Sequence, residues 1–176
     1  NAATQEFPRT QHQKMNTIPK KAHADLYQRL NDAGLVSWTA QSREITFTSE
    51  AAARYLGGCW LEEFTYLVAI DCNVEYVAMN VQGHWLRELP YAMDTVENEF
   101  DVLLVHNNQL LTIECKSGQF IREKTKDQEI INKLDLLSQK LGGLFGKKLL
   151  VCAQQMTEPG RARAKQNRIA CCESAT

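Results

Sequence analysis

Four charged side chains interrupt the apolar runs of "ENEFDVLLVHNNQLLTIECKSG", residues 97–118: Glu99, Asp101, Glu114 and Lys116. The two runs flank Asn107-Asn108, and Asn pairs tolerate the left-handed conformations of a tight hairpin turn. With the turn centred there, or as a four-residue loop from His106 to Gln109, Asp101 faces Glu114 and Glu99 faces Lys116. Side chains two apart on a strand share a face, so all four polar groups project together. The opposite face pairs Phe100 with Cys115, Val102 with Ile113 and Leu104 with Leu111, and reads as core.

Carboxylates that face each other across a ladder repel. A proton on one of them, or a cation between them, relieves this. A hard divalent ion such as Mg²⁺ takes carboxylate oxygens from two strands and keeps waters for a substrate phosphate. Lys116 beside such a pair can hold a phosphate oxygen or orient an attacking water, which is the chemistry of phosphodiester hydrolysis. The competing reading is a Glu99–Lys116 ion pair beside an incidental Asp–Glu contact on an exposed face. The Val, Leu and Ile around these residues speak against full exposure and favour the functional reading.

The surrounding elements must hold that hairpin. Residues 1–19 are polar and aperiodic, with Pro8 and Pro19, and read as a tail or linker. Over residues 20–48, "HADLYQRLNDAGLVSW" puts Leu26, Leu30 and Tyr27 on one helical face before a stop at Gly34, and "REITFTS" alternates like a strand. A helix plus a small hairpin resembles part of a winged helix and serves as a connector. From residue 49, Ser49 is an N-cap for "EAAARYL", and Gly57-Gly58 interrupts the helix. "CWLEEFTYLVAI" predicts a second helix burying Trp60, Leu61, Phe64, Leu67 and Val68. "VEYVAMNV" predicts a strand that turns at Gln82-Gly83 and returns through Trp85 and Leu86. After the 97–118 hairpin come an amphipathic helix ending at Gly142-Gly143, the strand "KKLLVCA", the basic helix "EPGRARAKQNR" and a last strand in "IACCES". Strands followed by β-α-β give an α/β domain, a mixed sheet flanked by helices, over residues 49–176.

The 176-residue chain, 44% hydrophobic and 23% charged, suits a globular domain with a core. No apolar run is long enough to span a bilayer and no apolar signal segment opens the chain, so the expectation is a cytoplasmic protein without a membrane partner. The six cysteines form no CxxC pair and sit mostly in apolar runs, as reduced thiols. The net charge of −1 conceals a polarised chain: residues 62–115 hold ten acids against one base, and residues 116–170 hold twelve bases against five acids. A basic half beside an acidic cluster suits a protein that binds a polyanion and sets metal ions against it, although a charge run alone is more often a solvated surface.

Asp101 on one strand, then Glu114-x-Lys116 on the next, resembles the PD-(D/E)xK nuclease superfamily. The segments "GGCWLEEF", "NEFDVLLVHNNQLLTIECKSG", "NKLDLLSQKLGG", "KKLLV" and "RARA" occur in the order seen in CRISPR-associated nucleases. Those proteins join a cyclic-oligoadenylate sensor, the CARF domain, to a restriction-endonuclease-like domain. The similarity covers about residues 20–176. The resemblance implies a restriction-endonuclease-like fold and a metal-dependent endonuclease acting on DNA or RNA. It implies Asp101 and Glu114 as ligands of Mg²⁺ or Mn²⁺ and Lys116 as the catalytic lysine. It adds an acid from the helix before the sheet, Glu62 or Glu63, of which Glu62 fits the family's "GxWLE" pattern. Glu99 and Lys133 are secondary candidates, for the outer shell of the metal and for a phosphate contact. Homodimers are usual in the family. No CARF-sized unit precedes residue 20, so the sensor is expected in the full-length protein and absent from this chain. The alternative is a non-catalytic nucleic-acid-binding module of the same fold.

Overall fold

The strands and helices follow from alternation and capping chemistry along the chain. The computed structural model describes residues 11–89, 92–118 and 126–174, with backbone alone at 85–89, 92–96 and 126. It divides into two compact units, at Trp60 and Leu61.

In the first unit, β1 (His12–Lys14), β2 (Val36–Ser37) and β3 (Glu44–Phe47) form a three-stranded antiparallel sheet in the order β1-β3-β2. Helix α1 (Ala22–Asp32) lies between β1 and β2 in the chain, and Gly34 follows with φ 73°. Val36, Trp38 and Ile45 make a small core, with Tyr27 and Leu30 packed against it. The stretch 1–19 was expected as a tail, yet His12–Lys14 pairs with Lys14 opposite Glu44 and His12 opposite Thr46. Backbone pairing to β3 makes a strand of a polar segment that has no apolar pattern of its own; residues 1–10 lie outside the described residues. Ser49 caps α2 (Glu50–Arg54), its hydroxyl accepting from the Ala52 amide at 3.1 Å. A wide turn over Tyr55–Cys59 follows, where Gly58 leaves helical geometry, and the chain re-enters a helix at Trp60.

The second unit is a five-stranded sheet in the order β4-β5-β6-β7-β8: β4 (Tyr76–Leu89), β5 (Ala92–His106), β6 (Gln109–Lys116), β7 (Lys147–Cys152) and β8 (Ala170–Glu173). The first three strands are antiparallel and the last three parallel, so the sheet is mixed. Helices α3 (Trp60–Asp71), α4 (Lys126–Gly142) and α5 (Glu158–Gln166) accompany it. Ile131 and Leu134 of α4, Leu150 and Cys152 of β7, Ala164 of α5, Met156 and Ile169 form a buried cluster. Among the described residues no helix is long and apolar enough to cross a membrane. All six cysteines are free.

Two expectations about this unit are corrected. The turn at Gln82-Gly83 does not occur: β4 runs on, with Gln82 opposite Glu99 and Gly83 opposite Asn98, because pairing to the long β5 outweighs the turn preference of one glycine. Helix α3 buries Leu61 as expected, but with Thr65 and Ala69 rather than the rest of the apolar stripe; Phe64, Leu67 and Val68 stay 58%, 53% and 45% exposed. A helix apolar on nearly every side gives no unique face from its pattern, and the side of Leu61, Thr65 and Ala69 is the one that is buried.

Candidate active site

The hairpin between β5 and β6 turns at Asn107 and Asn108, with φ of 50° and 58°, the pair of left-handed residues a tight turn requires. His106 pairs with Gln109, Leu104 with Leu111 and Val102 with Ile113, in the expected register. Val102 and Ile113 are buried, as are Phe100 and Cys115.

At Asp101 the pattern changes. Its Oδ2 accepts the Cys115 backbone N–H at 2.6 Å, so a side chain takes a donor that strand pairing would otherwise use. Beyond Ile113, β6 continues on its other edge, with Glu114 opposite Leu150 and Lys116 opposite Cys152 of β7. The expected pairing of Glu99 with Lys116 is therefore corrected: Glu99 pairs with Gln82 and is exposed, while the Lys116 ammonium lies 2.7 Å from Glu114 Oε1. Glu114 is only 6% exposed.

Burial, then the neighbouring Glu114 charge, pushes the Asp101 carboxyl up to about 7; Lys116 and the Cys115 N–H pull the other way, and Glu62 adds to the rise. Glu62 also acts on Cys115, whose thiol burial pushes up to about 12. The structure thus brings Glu62 of α3 into the field of the hairpin acids. Burial works against the Lys116 ammonium, yet Glu114 and Asp101 outweigh it and its pKa ends above the ordinary lysine value. Lys133 is exposed on α4, and among the described contacts none joins it to this cluster.

Sequence patterns missed the supports. Thr65 stands one helical turn after Glu62 and accepts a hydrogen bond from the Cys115 thiol at 3.5 Å, tying α3 to the hairpin; its polar type within an apolar helix was the available signal. The Ala153 N–H donates to the Lys116 carbonyl at 3.0 Å, fixing the end of β6 against the loop after β7. That loop is held in turn: the Met156 N–H donates to Glu173, and the Thr157 hydroxyl donates to Asp127 Oδ2 at 2.6 Å while accepting from the Gly160 N–H. Asp127 is 3% exposed, and among the described residues its Oδ1 has no hydrogen-bond partner. No feature of the sequence marked it beyond an acid in a first helical turn.

Among the described residues no three His, Cys, Asp or Glu side chains converge as a metal-holding group. Two carboxylates do converge, and the kind of donor fits: both are hard oxygen ligands, and Mg²⁺ is commonly held by one or two carboxylates together with waters and substrate phosphates. The Asp101 carboxyl is raised first by burial and then by the Glu114 charge, and a divalent cation would favour its ionised form.

A mixed sheet with an acid pair and a lysine at the end of one hairpin has the frame of known structures. The chain is similar to Can2 from Sulfobacillus thermosulfidooxidans, solved in complex with cyclic tetra-adenylate, at 24% identity and a TM-score of 0.72 over 97% of this chain and 45% of Can2. It is similar to protein VC1899 from Vibrio cholerae at 25% identity and a TM-score of 0.71, over 97% of this chain and 44% of VC1899. The chain therefore spans less than half the length of either. No curated protein matches its sequence. Residues 49–175 match the Card1-like endonuclease domain, and the chain belongs to that family.

Proposed function

We propose that this chain is a metal-dependent nuclease of the PD-(D/E)xK type, hydrolysing phosphodiester bonds of DNA or RNA as the effector part of a CRISPR-associated defence protein. The observation that carries the reading is the pair of half-buried Asp101 and buried Glu114, with Lys116 at 2.7 Å from Glu114, within an endonuclease-family domain. A binding module has no need for a carboxyl driven to about 7 beside a second buried acid.

Asp101 and Glu114 would hold Mg²⁺ or Mn²⁺, with Glu62 as the helix acid nearby. When bound, the ion would supply charge stabilisation at the scissile phosphate and a more acidic water. Asp101 keeps Oδ1 for this role while Oδ2 holds the Cys115 amide. Glu114 holds the Lys116 ammonium at 2.7 Å, and Lys116 would stabilise the growing negative charge on the phosphoryl oxygens. Its raised pKa keeps it cationic at neutral pH, which suits charge stabilisation rather than proton abstraction. In the full-length protein a cyclic-oligoadenylate sensor would accompany this domain; Can2, which shares the fold, was solved in complex with cyclic tetra-adenylate.

Purified chain is to be assayed on supercoiled plasmid and on single-stranded DNA and RNA, with Mn²⁺ and with EDTA. Cleavage that needs the ion and disappears in Glu114→Gln is expected. Cleavage that persists in EDTA, or at equal rate in the variant, contradicts the proposal.

A further inference from the structure

At the start of β7, away from the carboxylate end of β6, a cleft of about 540 Å³ opens between the C-terminal ends of α4 and α5. Lys147, Lys148, Arg168, Asp135, Gln139 and Leu144 are among the residues around it. Helix C-termini carry partial negative charge and attract cations. Lys148 meets that demand: its ammonium donates to Asp135 Oδ1 and to the Asn167 carbonyl, both at 2.6 Å. Lys147 and Arg168 are left over. Both are exposed, and among the described residues neither charged group has a hydrogen-bond or ion-pair partner.

Arg168 stands where its side chain is costly. The Ile169 N–H bonds to the Ala164 carbonyl and the Arg168 N–H to that of Lys165, the pattern that ends a helix with a left-handed residue, and Arg168 has φ 56°. Glycine is the usual occupant there, since a Cβ is strained. An arginine that breaks a local rule, unpaired and lining a cleft, marks a functional demand. Leu144, 98% exposed, offers an apolar wall at the same mouth.

We propose that this cleft is a phosphate-binding subsite, in which Lys147 and Arg168 hold a phosphate of a nucleic-acid strand or of a free nucleotide. The strand form rests on the nuclease reading above. Along β7 the subsite lies about five residues from the level of Lys116, roughly 16 Å, so it contacts the strand several phosphates from the scissile one.

The test is binding of a fluorescent oligonucleotide to the whole chain in EDTA, across a salt series. Lys147→Gln with Arg168→Gln is expected to raise Kd about tenfold and to make the salt dependence shallower by roughly one to two charges. Arg168→Gly is the second variant. It removes the backbone strain and is expected to raise Tm by about 2–4 °C while still weakening binding, a combination that loss of folding cannot produce. Adenosine monophosphate, tested by thermal shift, separates the sources: stabilisation of wild type that the double variant lacks assigns a free nucleotide, and an oligonucleotide effect alone assigns the strand. Unchanged Kd, salt slope and thermal shift in the double variant overturn the subsite. Where wild type cleaves with Mn²⁺ and the double variant still binds normally, the subsite alone falls; a wild type that neither binds nor cleaves takes the nuclease reading with it.

Discussion

The two ends of the parallel part of the sheet handle charge in opposite ways. Around β8, Glu173 receives Arg161 through two hydrogen bonds of 2.9 Å and the Met156 N–H at 2.7 Å, so one carboxylate meets matched donors. At the end of β6, half-buried Asp101 and buried Glu114 share one lysine, with Glu62 adding to the negative side. The first region is electrostatically closed and needs nothing further. The second is overloaded and awaits a proton or a cation. Balanced charge holds a fold together, and imbalance stored in a buried place marks where a ligand acts.

The sharpest way to break the contrast is to remove Lys116, the cation that pairs with Glu114 in the overloaded region. Lys116→Met is expected to lower turnover by about 10²–10³-fold, the usual loss for one charge-stabilising donor. Mn²⁺ binding, followed by calorimetric titration, is expected to persist, because in the proposed mechanism the lysine would serve chemistry rather than coordination. A variant that cuts at the wild-type rate removes Lys116 from the mechanism.

The next effect is on stability and has an unusual sign. The Asp101 carboxyl rises from 3.8 in the unfolded chain to about 7 in the folded one. The folded state therefore holds the proton more tightly, and stability present below about pH 4 is lost as pH rises toward 7, by roughly 2–4 kcal/mol. Denaturant melts of metal-free protein at pH 4 to 8 are expected to show this loss in wild type and not in Asp101→Asn, whose amide oxygen can still accept from Cys115. A wild type equally stable across the range shows that Asp101 is not the excess charge.

Adding the ion should reverse that loss at neutral pH. Binding to the native state alone contributes about 1.4 kcal/mol at ten times Kd and about 2.7 at a hundred times, a rise of roughly 3–10 °C in Tm. Asp101→Asn and Glu114→Gln are each expected to lose the Mn²⁺-induced rise. If both keep it in full, the ion sits elsewhere.

The balanced region sets the smallest effect. Arg161 holds the Glu173 carboxyl below the usual carboxylate range, with burial acting against it and the Met156 N–H helping. Its contribution is present above about pH 4.3 and fades as pH falls through the lower folded value. Glu173→Gln is expected to cost about 0.5–1 kcal/mol at pH 7, the scale of an exposed ion pair, with the gap to wild type closing in acid. A slope of the same sign as that of Asp101 would erase the distinction between the two regions.

Much of this was written along the chain. Alternation and the Asn107-Asn108 turn determine the hairpin, its register from Val102 to His106 and the face that Asp101, Glu114 and Lys116 share, because strand periodicity and turn chemistry are local. The N-cap at Ser49 and the stop at Gly34 are local in the same sense. Only the tertiary structure decided the rest. Which side of α3 is buried depended on what approached it, since the helix is apolar nearly all round and Thr65 could meet Cys115. Whether Lys116 paired with Glu99 or Glu114 depended on Asp101 taking the Cys115 amide and ending the ladder. The bonds of Asp127 to Thr157 and of Lys148 to Asn167 join residues 30 and 19 positions apart. Sequence fixes what short-range geometry repeats; contacts between distant segments are settled only when the chain closes on itself and each buried polar group must find the partner that remains.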